Sequence, residues 1–182
     1  MAIICVRHTR PQVAEGTCYG RTDLDVAETF DREAEDVIQN LARPDVIISS
    51  PLLRCQKLAR RISVAFERPV KTDARLSEMN FGAWEGLAWD DIPRAELDDW
   101  AADFLHAKPH GGESVASLRA RVVEAYRSYK AASSTAHLWV CHAGVIKAVM
   151  SRGDTADDFK TSVDFGGIIT LPDYAFPLLN GQ

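Results

Sequence analysis

Ile3-Ile4-Cys5-Val6-Arg7-His8-Thr9 is the stretch on which the fold turns. Its apolar half is continuous, not alternating, and reads as a strand buried on both faces, the kind found in parallel sheets. Arg7 and His8 stand where that strand ends, at the rim of the sheet. In open α/β sheets the rim beyond the strand ends is where ligands bind. A guanidinium beside an imidazole at such a rim suits phosphate.

Moving outward from this strand, helical and strand patterns alternate. A Gly/Pro/polar loop runs from Arg10 to Asp25. Ala27, Phe30, Ala34, Val37, Ile38 and Leu41 then recur at helical spacing, and Pro44-Asp45 breaks the helix. Val46-Ile47-Ile48 is a second strand. Ser49-Ser50-Pro51 is expected to open a helix, with the serines capping it and proline in its first turn. The core face of that helix is Leu52, Cys55, Leu58, Ala59, Ile62 and Phe66. Pro69–Thr72 is a short strand, Leu76–Trp89 an ordered loop, and Asp90–His106 holds helical segments. A long helix spans Ser114–Ala131, with Val115, Leu118, Val122, Tyr126 and Tyr129 on one face. His137–Cys141 is a strand, Gly144–Ser151 a helix and Phe165–Leu171 a last strand. This alternation predicts an α/β fold, a mostly parallel central sheet between helical layers.

Bulk composition limits the function classes. A chain of 182 residues is expected to form one domain, residues 1–182, with a core large enough to need no staples. With 46% hydrophobic and 26% charged residues it is neither disordered nor fibrous. A net charge of −5 gives no general attraction to nucleic acid or anionic lipid, so any anion must be held by a local cluster. Cys5, Cys18, Cys55 and Cys141 show no paired spacing and read as free, structural thiols. No basic segment followed by a long apolar run opens the chain. No run approaches the roughly 20 residues of a membrane helix. The expectation is a cytoplasmic protein with no membrane or nucleic-acid partner. Its oligomeric state is open, a homodimer included.

Three strand ends look alike. The first delivers Arg7 and His8. The second delivers Ser49-Ser50-Pro51, with Arg54 in the next helical turn. The third delivers Cys141-His142-Ala143-Gly144, again entering a helix. Parallel strands place these ends on one edge of the sheet. Arginine binds phosphate oxygens bidentately, and helix N-termini add unpaired N–H groups and partial positive charge. A neutral histidine can attack phosphorus and carry the phosphoryl group, and a carboxylic acid can protonate the departing oxygen. Glu78, which starts the ordered loop through Gly86, is the leading candidate acid, and Glu85 is its rival.

The chain resembles the histidine phosphatase superfamily, also called phosphoglycerate mutase-like. The matching segments are Val6-Arg7-His8-Thr9, Tyr19-Gly20-Arg21-Thr22-Asp23, Ser49-Ser50-Pro51-Leu52-Leu53-Arg54-Cys55, Leu76 to Gly86, Gly111-Gly112-Glu113-Ser114 and Val140-Cys141-His142-Ala143-Gly144-Val145. They follow the family's order from the start of the chain to about residue 150. Thr9-Arg10-Pro11 together with Tyr19 to Asp23 looks most like the α-ribazole phosphatase branch.

The resemblance implies a three-layer α/β/α sandwich and a phosphomonoester hydrolase that needs no metal or other cofactor. It implies a small phosphorylated metabolite as substrate, with α-ribazole 5′-phosphate as a candidate. His8 would become phosphohistidine, Arg7 and Arg54 would clamp the phosphoryl oxygens, and His142 would bind the same oxygens. Glu78 would be the proton donor and then the base that activates water. Tyr19, Gly20 and Arg21 would line the substrate side. The chain departs from the family at Cys141, often Ser or Thr, at Ala143, often Gly, and after Asp25.

Other readings compete. A phosphoglycerate mutase usually carries a longer insertion than the stretch between Glu78 and Glu113. A phospho-ligand binding module would not require both histidines, both arginines and Glu78. A zinc cluster of Cys5, His8, Cys141 and His142 is opposed by strand alternation, which turns the cysteines into the core. Arg21 reads equally as a ligand contact or a loop residue. Trp84 and Trp89 read as packing residues, and His106 and His110 are too isolated for a metal site.

Overall fold

In the computed structural model, which describes residues 3–131 and 135–172, the opening strand lies inside the sheet. The remaining ends of the expected 1–182 domain, residues 1–2 and 173–182, lie outside the described residues. The strands are β1 (Ile3–Arg7), β2 (Val46–Ser49), β3 (Val70–Thr72), β4 (His137–Cys141) and β5 (Ile168–Thr170). Their order across the sheet is β3-β2-β4-β1-β5. β1, β2, β3 and β4 are mutually parallel, and β5 runs antiparallel to β1 at the edge.

Successive side chains of the central strands feed opposite faces. Ile3, Cys5, Ile48, Trp139 and Cys141 join one core cluster, with helices α4 (Val115–Ala131) and α5 (Ala143–Met150) over it. Val6, Ile47, Leu138 and Val140 join the other, under α1 (Phe30–Asn40) and α2 (Leu53–Phe66). The result is the three-layer α/β/α sandwich. A nine-residue helix, α3 (Arg94–Ala102), and short 3₁₀ turns at 74–76, 82–84 and 89–91 occupy the segment between β3 and α4. There Cys18, Trp84 and Ile92 form a small third cluster. All four cysteines are buried and free.

The boundaries depart from expectation where distant residues intervene. α2 begins at Leu53, and its first turn is capped from afar: Asp23 Oδ1 accepts the Leu53 N–H at 2.7 Å. Ser50 Oγ accepts the Leu52 N–H instead, and Ser49 Oγ donates to the Ser50 carbonyl. α1 starts at Phe30, three residues after Ala27. Phe165 does not enter the last strand; it turns back towards Arg7.

Candidate active site

Parallel pairing puts the three strand ends on one edge. The His8 N–H donates to the Cys141 carbonyl and the Ser50 N–H to the Val140 carbonyl, both at 3.0 Å. His8, Arg54 and His142 thereby meet in a buried pocket floor. His8 Nδ1 is 2.7 Å from the Thr9 carbonyl oxygen. A carbonyl only accepts, so Nδ1 carries the proton and Nε2 keeps its lone pair. Arg54 Nε–H donates to that Nε2 at 3.3 Å. Burial, then the adjacent Arg54 charge, lowers the His8 pKa to about 3, so the ring stays neutral.

Arg54 is held rigidly. Its Nη1 donates to the Thr22 carbonyl at 2.9 Å and its Nη2 to the Gly20 carbonyl at 2.7 Å. Arg7 Nη1 donates to the Val163 carbonyl at 2.8 Å, and its guanidinium lies 3.9 Å over the Phe165 ring. His142 precedes the first residue of α5, with its ring centroid 5.1 Å from that of His8. Its Nε2 is 2.8 Å from Ser50 Oγ and 3.4 Å from Cys55 Sγ. Burial first, then the neighbouring His8 and Arg54, pushes the His142 pKa well down. Burial also keeps the Cys55 thiol protonated.

Glu78 reaches the same edge from the other side. Its Oε1 accepts the Met79 N–H at 2.9 Å, and its Oε2 accepts the N–H of Gly144 in the first turn of α5 at 3.1 Å. The bare α-carbon of Gly144 makes the approach possible: a Cβ there would fall 2.1 Å from Glu78 Oε1. Glu85 is otherwise engaged. It accepts from the backbone N–H groups of Phe81, Arg21 and Thr22 and from the Thr22 hydroxyl. Burial works against the ionised form of Glu85, but these bonds hold its pKa low. Glu85 is a clasp between two loops.

Tyr19, Gly20 and Arg21 border this floor in different ways. The Tyr19 ring lies 5.3 Å from the Arg54 guanidinium. Burial raises its phenol pKa, with Arg7 and Arg54 opposing. Gly20 packs so tightly that a Cβ would meet the Met79 carbonyl at 2.0 Å, and it supplies its own carbonyl to Arg54. Arg21 points outward; its Nε lies 3.5 Å from the Glu78 carbonyl and its Nη2 3.6 Å from Glu113.

Sequence reasoning missed Arg121. It forms a two-pronged ion pair with Glu113 at 2.7 and 2.8 Å and donates to the carbonyls of Arg75, Ser77 and Glu78. It thus fixes the main chain that carries Glu78. A signal was available: Arg121 interrupts the apolar stripe of Leu118, Val122 and Ala125 on α4, and a charge set among core positions needs a partner. Phe165 beneath Arg7 and Ser50 against His142 were also unforeseen in these roles.

Trp84 is buried and donates its Nε1–H to Glu96 at 2.6 Å. His110 is buried against Trp84, with Nδ1 accepting the Gly112 N–H at 2.9 Å. Both are packing residues. Cys5 and Cys141 lie in the core beneath the sheet. Among the described residues no group of three or more His, Cys, Asp or Glu is arranged to hold a metal ion. No helix among them is long and apolar enough to cross a membrane.

Comparison with known proteins places this geometry in context. A family model described as "Histidine phosphatase superfamily (branch 1)" matches residues 3–159. Phosphoserine phosphatase 1 of Hydrogenobacter thermophilus is 32% identical over 126 residues, 66% of this chain and 60% of that enzyme. The adenosylcobalamin/alpha-ribazole phosphatase of Escherichia coli is 30% identical over 115 residues, 59% of this chain and 55% of that enzyme. The matched stretch therefore spans a little over half of either relative. The native structure of a mycobacterial glucosyl-3-phosphoglycerate phosphatase superposes with a TM-score of 0.81 at 23% identity, over 93% of this chain and 88% of that one.

Proposed function

Because the chain belongs to the histidine phosphatase superfamily, we propose that it hydrolyses phosphomonoesters through a phosphohistidine at His8. The observation that carries the reading is the state of the His8 ring: proton on Nδ1 against Thr9, lone pair on Nε2, charge suppressed by burial. Such a ring is a nucleophile at neutral pH. Two buried polar atoms beside His8, Arg7 Nε and Thr9 Oγ1, have no hydrogen-bond partner among the described residues.

In the first half-reaction His8 Nε2 forms a bond to phosphorus as the ester P–O bond breaks. Glu78, as the carboxylic acid, gives its proton to the leaving oxygen. In the second, the Glu78 carboxylate takes a proton from water. The water oxygen bonds to phosphorus, the P–N bond breaks, and His8 returns neutral with release of phosphate. Arg7, Arg54 and a neutral His142, its ring fixed by Ser50, stabilise the charge on the equatorial oxygens, and positioning supplies most of the rate. This local positive charge serves where a metal serves in other phosphatases, so hydrolysis should survive chelation.

The substrate is a small phosphorylated metabolite. The Tyr19–Asp23 motif and the likeness to an alpha-ribazole phosphatase make α-ribazole 5′-phosphate the first candidate. The test is phosphate release from p-nitrophenyl phosphate in the presence of EDTA. His8→Ala should lower it by at least about 10³-fold, and acid-labile label should appear on His8 in quenched reactions. Undiminished turnover by His8→Ala would overturn the mechanism. Phosphoryl exchange between 2- and 3-phosphoglycerate without net hydrolysis would replace it by a mutase.

A further inference from the structure

Beyond Glu78 a cavity of about 560 Å³ opens between α3, α5 and the 156–162 segment. Its walls include Phe81, Trp100, Phe104 and Phe159. These rings form one continuous ladder: Phe81 to Trp100 at 6.3 Å, Trp100 to Phe104 at 5.7 Å, Phe104 to Phe159 at 5.3 Å. A ladder of mutually packed rings is a rigid apolar wall, suited to a ring or hydrocarbon body.

Two lysines line the same cavity, and they differ. Lys160 is exposed and already paired with Asp157 at 2.6 Å. Lys147 is half-buried, and among the described residues it has no ion pair. It stands on α5 three residues after Gly144, whose N–H holds the Glu78 carboxylate. That places its backbone about 4.5 Å further along the helix axis, with its side chain on the cavity face. A cation set among aromatic walls, partly out of water and in no ion pair among the described residues, can take an anion from the ligand.

We propose that this cavity takes the leaving group of the ester and that Lys147 selects leaving groups joining an apolar body to one carboxylate. The proposal rests on the phosphatase reading above only for the identity of the reaction; it sets carboxylate-bearing esters ahead of α-ribazole 5′-phosphate, whose leaving group carries no carboxylate. One lysine balances one carboxylate, whereas a second phosphate dianion would leave excess negative charge beside Glu78. In this arrangement the ester oxygen would lie at Glu78, the body along the ring ladder and the carboxylate at Lys147.

The test compares 4-carboxyphenyl phosphate with phenyl phosphate in wild type, Lys147→Gln and Lys147→Arg. Comparing ratios between proteins removes the intrinsic reactivity of the two esters. The carboxylate preference in kcat/KM should fall roughly tenfold in Lys147→Gln and be largely kept in Lys147→Arg. A parallel arm reads binding without turnover, by tryptophan fluorescence, using 4-hydroxybenzoate against phenol. Wild type should bind the benzoate about tenfold more tightly, and Lys147→Gln should lose that margin. Equal affinity for the two phenols, or a ratio unmoved in Lys147→Gln, would overturn the proposal. So would a phenylene bisphosphate turned over in preference to the carboxylate ester. Benzoate preference with no turnover of any ester would sink the phosphatase reading and leave this one standing.

Discussion

The two ends of the site are built differently. The phosphate end is made where β1, β2 and β4 stop and α2 and α5 begin, and His8, Arg54 and His142 are almost wholly buried there. The His8, Arg54 and His142 side chains are each held there by a backbone carbonyl or a buried side chain. The proposed leaving-group end is made of short 3₁₀ turns, α3 and the 156–162 segment, with buried and half-buried rings and one lysine, Lys147, that is in no ion pair among the described residues. In the proposed reaction the first fixes the chemistry at phosphorus, and the second is where a scaffold can change its substrate without disturbing that chemistry. Glu78 stands at the joint, facing both.

That joint offers the strongest way to break the comparison. Glu78→Gln should slow phenyl phosphate by about 10²–10³-fold and p-nitrophenyl phosphate far less, since p-nitrophenolate hardly needs a proton. Pre-steady-state and steady-state rates on both esters check this, and equal slowing would remove Glu78 as the acid. Gly144→Ala tests position alone. Its Cβ would displace a carboxylate oxygen that now lies 2.1 Å from that point. We expect a loss of about 10–100-fold on the poor leaving group with the fold intact, because a shift of about 1 Å misaligns proton transfer. A wild-type rate in Gly144→Ala would show that the Gly144 contact does not set the acid.

The contrast between the two ends is also a contrast in legibility. β1, β2 and β4 are apolar runs whose ends carry Arg7, His8 and His142, so local pattern reveals both the sheet and the phosphate floor. Glu78 is visible only as the start of an ordered loop, because its placement depends on Gly144, 66 residues away. The α2 cap is hidden from local sequence for the same reason: Ser50 takes the Leu52 N–H, and the first helical N–H, of Leu53, goes to Asp23, 30 residues away. The antiparallel sense of β5 and the return of Phe165 under Arg7 come from chain reversal at Gly166, which has φ of +72°. No period in the local sequence encodes that. The ring ladder of the cavity draws on residues 81, 100, 104 and 159, too widely spaced to form a pattern.

Arg121 sharpens the comparison from behind, since it braces the Glu78 main chain and its charge adds to burial in lowering the His142 pKa. Arg121→Met strands the mostly buried Glu113 carboxylate and three carbonyls. The expected cost is about 3 kcal/mol in urea unfolding, with the larger kinetic loss on poor leaving groups. Full stability in this variant would mean that Glu113 and the carbonyls find water at no cost.

A titration separates the two ends without any change in the reaction. His8 binds a proton near its ordinary value of about 6.5 when unfolded, but only near about 3 when folded. Between those values the unfolded chain carries the extra proton, so stability rises with pH. The contribution is fully present above pH ~6.5 and is lost as pH falls towards about 3. Within that window one such group gives a slope of about 1.4 kcal/mol per pH unit, and His142, shifted the same way by burial, adds to it. Urea unfolding at stepped pH from 7 to 4 reads the slope. His8→Gln should make it shallower by close to one proton, whereas Lys147→Gln at the other end should leave it as it is. Equal slopes in wild type and His8→Gln would mean that His8 takes up its proton as readily in the folded protein as in the unfolded chain, so that burial does not keep its lone pair free as the pH falls below ~6.5.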